Sequence, residues 1–260
     1  MSLVFRHFLA ILTLSLGFAL MLAGTAAATG RLVADLSQKD FSITTSFHGT
    51  DLLLFGAVDG QSGDDLIVVV TGPPTDIAQR RKANRAGIWV NVETNIWKQA
   101  PSFYRILSTR PLSAIATPET LAGLSVGTAN ITLEITPETA APNSPKPRRN
   151  DYINALQSNM ANLGLWPAGN GDVSLAKDAL FRARIALPAN ILSGTYDIRV
   201  IHLRDGIAIN EDQTSLSVKK GGLSAQIYNL AHKYPALYGI FAIVFAVVAG
   251  WLAAAAFRRG

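Results

Sequence analysis

The sequence predicts a mainly β protein: an immunoglobulin-like β-sandwich with a helical insertion, followed by a single C-terminal transmembrane helix. Three observations carry this prediction. Short apolar or alternating runs recur between Gly, Pro and Asp clusters in the first and last thirds of the chain, which is the spacing of sandwich strands. The middle carries helix-start signals and an apolar stripe of helical period instead. The chain closes on 23 residues, Pro235 to Phe257, without a charge.

The strands come first in order. "FSITTSF" places Phe41, Ile43, Thr45 and Phe47 on one face. "DLLLFGAV" (Asp51 to Val58) is an apolar run, the pattern of a central strand buried on both sides. "LIVVVTG" is a β-branched run stopped by Pro73 and Pro74. "IAQRRKANRAGIWV" reads as a basic hairpin, with Ile77 to Lys82 as a strand, Ala83 to Gly87 as the turn and Ile88 to Val92 as the return. "SFYRILST" follows as another strand. The helical insertion then covers about 111–165. Thr117 suits an N-cap with Pro118 at the first helical position. "APNSPKPRRND" is a Pro-rich loop, and Asn150 or Asp151 caps a helix striped by Ile153, Leu156, Met160 and Leu163 and ended by Gly164. Strands return with "LFRARIAL", whose Phe181, Ala183, Ile185 and Leu187 oppose Arg182 and Arg184. Tyr196, entering a strand after a corner, matches the tyrosine corner of immunoglobulin-like sandwiches. Asp205-Gly206 is a hairpin turn, and "QTSLSVKKGG" is the last strand.

The two ends set the compartment. Residues 1–28 have a basic start at Arg6 and His7, an apolar run from Phe8 to Ala23, and Ala26 and Ala28 at an A-x-A site. That is the layout of a secretory signal peptide; the length of the run also suits an uncleaved signal anchor. Residues 29–222 form the exported domain, 223–234 a juxtamembrane helix, 235–257 the span and 258–260 the cytoplasmic tail. At ~1.5 Å per residue, 23 helical residues reach ~34 Å, enough for a hydrocarbon core of ~30 Å; a buried core helix is the alternative reading. Because the exported domain precedes the span, Arg258 and Arg259 lie inside. The expected location is the bacterial inner membrane, single-pass, with the main domain periplasmic.

Composition narrows the function classes. The chain carries 23 Lys+Arg against 18 Asp+Glu, a net charge of +5. Arg6, Arg258 and Arg259 lie in terminal segments that hold no acidic residue, so the exported part has 20 basic and 18 acidic residues, a net of +2. A nucleic-acid partner is not expected. With no cysteine, thiol catalysis, disulfides and zinc-thiolate sites are excluded.

The stretches "ITTSFHGTDLLLFGAVD", "RRKANRAGIWVN", "PSFYRILSTRPLSAIA", "LFRARIALPANILSGTYDIRV" and "LYGIFAIVFAVVAGWLAAAAFRR" closely resemble an alphaproteobacterial family of transmembrane proteins. They cover almost the whole chain after the signal segment, in the same order. The resemblance implies an exported β domain on one C-terminal span. It also implies a neighbouring transporter of the sulfite exporter type as a partner, and it brings no site residues.

Few residues point to chemistry. Ser46, His48 and Asp51 are the residue types of a hydrolase triad, but their sequence proximity and the missing nucleophile-elbow pattern favour a polar turn. Asp64 and Asp65, near Asp59, lack the spacing of a calcium loop and read as a solvated hairpin turn. His202 and His232 are isolated, so no metal or other cofactor is expected. In the basic run, Arg80 and Lys82 share one strand face and Arg81 the other. These residues read as charges that protect an edge strand, with Arg80, Arg81, Lys82 and Arg85 also the candidates for anion or partner contact. Two functions follow. One is a non-catalytic, membrane-anchored periplasmic accessory protein, whose span packs on a transporter through Ala242, Ala246, Ala249 and Gly250. The other is a periplasmic binding module for a small oxyanion such as sulfite or sulfate, held by the basic hairpin.

Overall fold

The computed structural model describes residues 31–140, 147–221 and 231–257. Twelve strands run β1 (Leu32–Leu36), β2 (Asp40–Ile43), β3 (Thr50–Val58), β4 (Asp65–Thr71), β5 (Pro74–Arg85), β6 (Ile88–Pro101), β7 (Tyr104–Ser108), β8 (Glu134–Ala140), β9 (Gly171–Ala176), β10 (Leu180–Leu187), β11 (Gly194–Arg204) and β12 (Ile207–Lys220). The helices are α1 (Leu112–Ile115), α2 (Pro118–Gly123), α3 (Arg149–Asn162) and α4 (Pro235–Phe257). Nine strands pair in the order β1-β3-β10-β9-β7-β4-β11-β12-β2. A short parallel contact of β7 with β9 joins two halves, and the sheet curls so that they face each other. The halves match the A-B-E-D and C′-C-F-G-A′ order of an immunoglobulin-like sandwich. The parallel pairing of β2 with β12 completes it.

The tyrosine corner is present. Tyr196, near the start of β11, is fully buried, and its Oη donates to the Leu192 carbonyl at 2.7 Å. Burial, against that hydrogen bond, pushes the phenol up to about 12. Ile198, two residues on, occupies the position of the second cysteine of antibody domains. It is also fully buried, in the inter-sheet core with Leu54, Val68, Phe103, Ile185 and Val200.

A second core lies on the outer face of the β7-β4-β11 half. Ile67 and Val69 of β4, Ile106 of β7, and Ile201 and Leu203 of β11 meet Trp97, Ile115, Leu133, Leu156, Met160 and Trp166. The small sheet β5-β6-β8 and helices α1–α3 supply this cover. The insertion therefore includes the β5–β6 hairpin, and the stretch expected as helical over 111–165 also contains β8, antiparallel to β6. β8 escaped the sequence reading because "EITPETA" holds a proline and only one large apolar residue.

Other expectations change in detail. β3 alternates; Leu53 and Phe55 are 42% and 44% exposed, so it is covered on one face only. β4 is the strand buried on both faces. β1 has no counterpart in the sequence reading, and the strand expected through Phe47 ends at Ile43. Thr117 caps α2, its Oγ1 accepting from the Thr120 amide at 3.3 Å. The N-cap of α3 is Arg148, not Asn150 or Asp151; Asp151 instead accepts from the Arg148 amide at 2.9 Å. Leu156 and Met160 of its stripe are buried, Leu163 is exposed, and Gly164 at φ 70° ends the helix. Asp205 and Gly206, both at positive φ, form the expected turn, and β10 alternates buried and exposed residues along its length.

α4 spans the residues the sequence marks for the membrane. Over Pro235–Ala255 its mean hydropathy is 2.3, and no residue there is buried by protein. A helix apolar on every side and uncovered by other chain belongs in hydrocarbon, so the core-helix alternative fails. The signal segment 1–28, the tail 258–260 and most of the juxtamembrane segment 223–234 lie outside the described residues; 231–233 are helical.

The layering predicts a contrast. Ile67→Ala, at a site with 0% exposure, is expected to cost about 2–5 kcal/mol. Phe55→Ala, on the outer face of β3, is expected to cost less than about 1 kcal/mol. Chemical denaturation of the two variants measures both; equal losses would refute the two-core arrangement.

Candidate functional site

The basic hairpin is the first candidate. β5 and β6 are joined by a two-residue turn, Ala86 (φ 50°) and Gly87 (φ 84°), rather than by the five residues Ala83–Gly87. Two left-handed residues give a turn whose twist suits the strands. The Asn84 side-chain oxygen accepts from the Gly87 amide at 2.9 Å, so that amide already has a partner within the turn. β5 is an edge strand and alternates as expected. Arg80 and Lys82 face out, and Arg81 faces inward.

Arg81 serves the hairpin itself. Its Nε donates to Glu93 Oε2 at 3.0 Å. Glu93 Oε1 also accepts from Asn95 at 3.0 Å and from the Tyr152 hydroxyl of α3 at 2.5 Å. Burial opposes ionisation of Glu93, but the hydrogen bonds from Tyr152, Asn95 and Arg81 outweigh it and hold the carboxyl below its ordinary range. Beside Arg81 on the same face, Gln79 donates to the Tyr152 carbonyl at 3.0 Å and accepts from Trp97 Nε1 at 2.8 Å. The inner face of β5 thus locks the hairpin to α3. A hollow of about 230 Å³ between them is lined by Gln79, Arg80, Arg81, Asp151, Tyr152 and Asn159 among others. Lys82 and Arg85 lie outside it, so the four basic residues do not converge.

The second candidate was not legible in the sequence. Asp64 and Asp65, expected in a solvated turn, are only 7% and 4% exposed. Asp64 takes a two-pronged contact from Arg204, Nε to Oδ1 at 2.8 Å and Nη2 to Oδ2 at 2.7 Å. It also accepts from the Gln61 amide at 2.8 Å, and His202 Nε2 lies 2.8 Å from Oδ2. The Arg204 guanidinium, above all, holds the Asp64 carboxyl far below its ordinary value against the opposing effect of burial. An ionised Asp64 can only accept, so His202 Nε2–H donates to it. Asp65 is held by Arg110, through Nε at 2.9 Å and through Nη2, and by the Thr109 hydroxyl at 2.7 Å. Burial raises its pKa, and these partners lower it by more. Sheet pairing brings the partners together: Leu203 lies opposite Asp65, and Ile67 opposite Ser108. Their sequence separations of 45 and 140 residues hide this from a linear reading.

Next to this cluster opens a groove of about 1050 Å³. Leu112, Ile115, Leu121 and Val126 form its apolar floor, with Arg110 and the turn Asp205–Ile207 at its rim. Both carboxylates are matched by arginines, and no group of three or more potential metal ligands occurs among the described residues. Ser46 contacts Thr44 at 3.0 Å and Asp51 lies 4.0 Å from Arg184; among the described residues no hydrogen bond joins Ser46, His48 and Asp51. On α4, Ala242, Ala246, Ala249 and Gly250 share one helical face by their spacing.

A family model described as "Putative transmembrane protein (Alph_Pro_TM)" matches residues 31–259. No curated protein matches the chain. Among solved structures, domain 1 of VCBP3 from Branchiostoma floridae is similar at 10% identity, covering 74% of this chain and 97% of that one, with a TM-score of 0.26. A likeness that weak bears no argument.

The buried ion pairs make stability depend on acid. A carboxyl whose folded pKa is depressed contributes its stabilisation in full above its unfolded value, near pH 4, and loses it as pH falls below. The protein is therefore expected to lose stability below about pH 4. Asp64→Asn, which leaves the Arg204 charge without its carboxylate, should cost about 3 kcal/mol at neutral pH and flatten the acid dependence. Denaturation across pH measures both; an unchanged acid limb in the variant would refute the assignment.

Proposed function

Because this chain belongs to that alphaproteobacterial family of transmembrane proteins, we propose that it is a non-catalytic accessory protein, anchored by one span and working through partner contact. The observation that carries this reading is α4, an uncharged 23-residue helix that follows a β-sandwich. The family resemblance supports a transporter of the sulfite exporter type as the partner. On this reading the chain lies in the bacterial inner membrane, with the sandwich periplasmic after export by the signal segment and the C-terminus cytoplasmic. The groove beside Arg110 offers an apolar floor with a charged rim, which suits a polypeptide loop. The face Ala242, Ala246, Ala249 and Gly250 offers close approach to a neighbouring helix.

The second reading, capture of a small oxyanion such as sulfite or sulfate, is favoured by one observation: Arg80 and Arg81 line the same hollow. The Glu93 carboxylate on Arg81 and the Asp151 carboxylate in the wall oppose it. Partner contact is the stronger reading.

Purification from native membranes in mild detergent separates the two. Accessory function predicts a stoichiometric membrane protein that co-purifies and is lost in a Leu121→Asp variant, which places a charge in the groove. Repeated recovery of the chain alone would count against it. Anion capture predicts saturable, salt-sensitive heat on titration of the full-length protein with sulfite, abolished by Arg80→Ala. No heat at millimolar sulfite would eliminate that alternative.

A further inference from the structure

Among the described residues, β8 pairs with β6 from Glu93 to Lys98. Beyond Glu93 the described residues continue as a two-stranded ribbon, from Lys82 opposite Asn91 to Arg85 opposite Ile88. At about 3.3 Å per residue, those four pairs and the turn extend roughly 15 Å past the three-stranded sheet. A ribbon this short has no core to hold apolar side chains. Yet Ile88 and Trp89 are each 67% exposed and Val90 is 38% exposed.

The register assigns these side chains to both faces. Trp89 lies opposite Asn84 and shares its face with Lys82; Ile88 and Val90 share the other with Ala83 and Arg85. Arg80 and Lys82 point outward, and from Ile77 to Val92 there are four basic residues and no acidic one. The ribbon therefore has an apolar tip and a basic collar.

We infer that this tip inserts into the headgroup region of an anionic phospholipid bilayer, the one that holds the chain's own α4. Three features favour lipid over a protein surface. A protein groove generally receives one face of a ribbon, whereas a fluid interface can surround both. Tryptophan is suited to the boundary between hydrocarbon and water, and a collar of Lys and Arg above it meets anionic headgroups. The span also confines the domain to the membrane surface, so the tip needs little intrinsic affinity. The inference stands apart from the transporter and oxyanion readings.

The absence of native cysteine permits a clean test. Full-length Ile88→Cys, carrying an environment-sensitive fluorophore, is placed in nanodiscs of phosphatidylcholine with or without phosphatidylglycerol. Ser174→Cys on β9 is the control. Insertion predicts a blue shift and protection from an aqueous quencher at position 88, only with phosphatidylglycerol, reversed by salt and absent at 174. At about fivefold per basic residue near an anionic surface, adding Lys82→Gln and Arg85→Gln should lower the inserted fraction relative to the free one about 25-fold. Adding Trp89→Ala instead should lower it as well. Equal emission at position 88 in the two kinds of disc would overturn the inference. So would protection in native membranes but not in protein-free lipid, which would assign the tip to a protein partner.

Discussion

The strand Asp65–Thr71 has no polar face, and much of the architecture follows from that. Val68 and Val70 point into the sandwich, while Ile67 and Val69 point away from it; all four are buried. In an ordinary two-layer sandwich the outward pair would meet water. Here the chain leaves the sheet immediately after this strand and builds a third layer over it from the β5-β6-β8 sheet and α1–α3. Each fully buried aliphatic side chain stabilises the fold by about 1.5–3 kcal/mol. The second core, with Trp97 and Trp166 at its centre, is thus a major part of the protein's stability.

Burying this strand also buries its start. Asp64 and Asp65 are carried out of water, and an unpaired carboxylate there would be strongly destabilising. Arg204 and Arg110, placed by the neighbouring strands, match them one to one, with His202 and Thr109 taking further lone pairs. The cluster resembles a catalytic constellation in composition, but its carboxylates are committed to arginines. Its contacts tie the start of β4 to β11 and to the residues that follow β7, beside the open groove. The Glu93 cluster lies within the insertion and ties the hairpin to α3 through Tyr152.

The basic residues divide by strand face and by position along β5. Arg81 is structural, whereas Arg80 and Lys82 face solvent, and Arg85 lies at the tip with Ile88 and Trp89. Strand face separates Arg81 from Arg80 and Lys82, and position at the tip separates it from Arg85. The near balance of charge elsewhere in residues 29–222 makes this local excess more distinctive than the net charge of the chain.

Much of the fold was legible because strand and helix periodicities are local. β10, the tyrosine corner, the Asp205-Gly206 turn, the Thr117 cap and the whole of α4 follow from residues within a few positions of one another. The alternation of Arg80, Arg81 and Lys82 was legible for the same reason, which places them on the correct faces. What covers each face is not local. "DLLLFGAV" and "LIVVV" look alike as apolar runs, yet only the second is buried on both sides, because the insertion lies over β4 and not over β3. Likewise, no spacing rule relates Asp64 to Arg204 or Asp65 to Arg110, since only strand pairing brings them within hydrogen-bond reach. The sequence by itself determined most of the elements, the span and the alternation of β5 and β10; the tertiary structure decided which faces were closed, because burial is a property of what the rest of the chain packs against them.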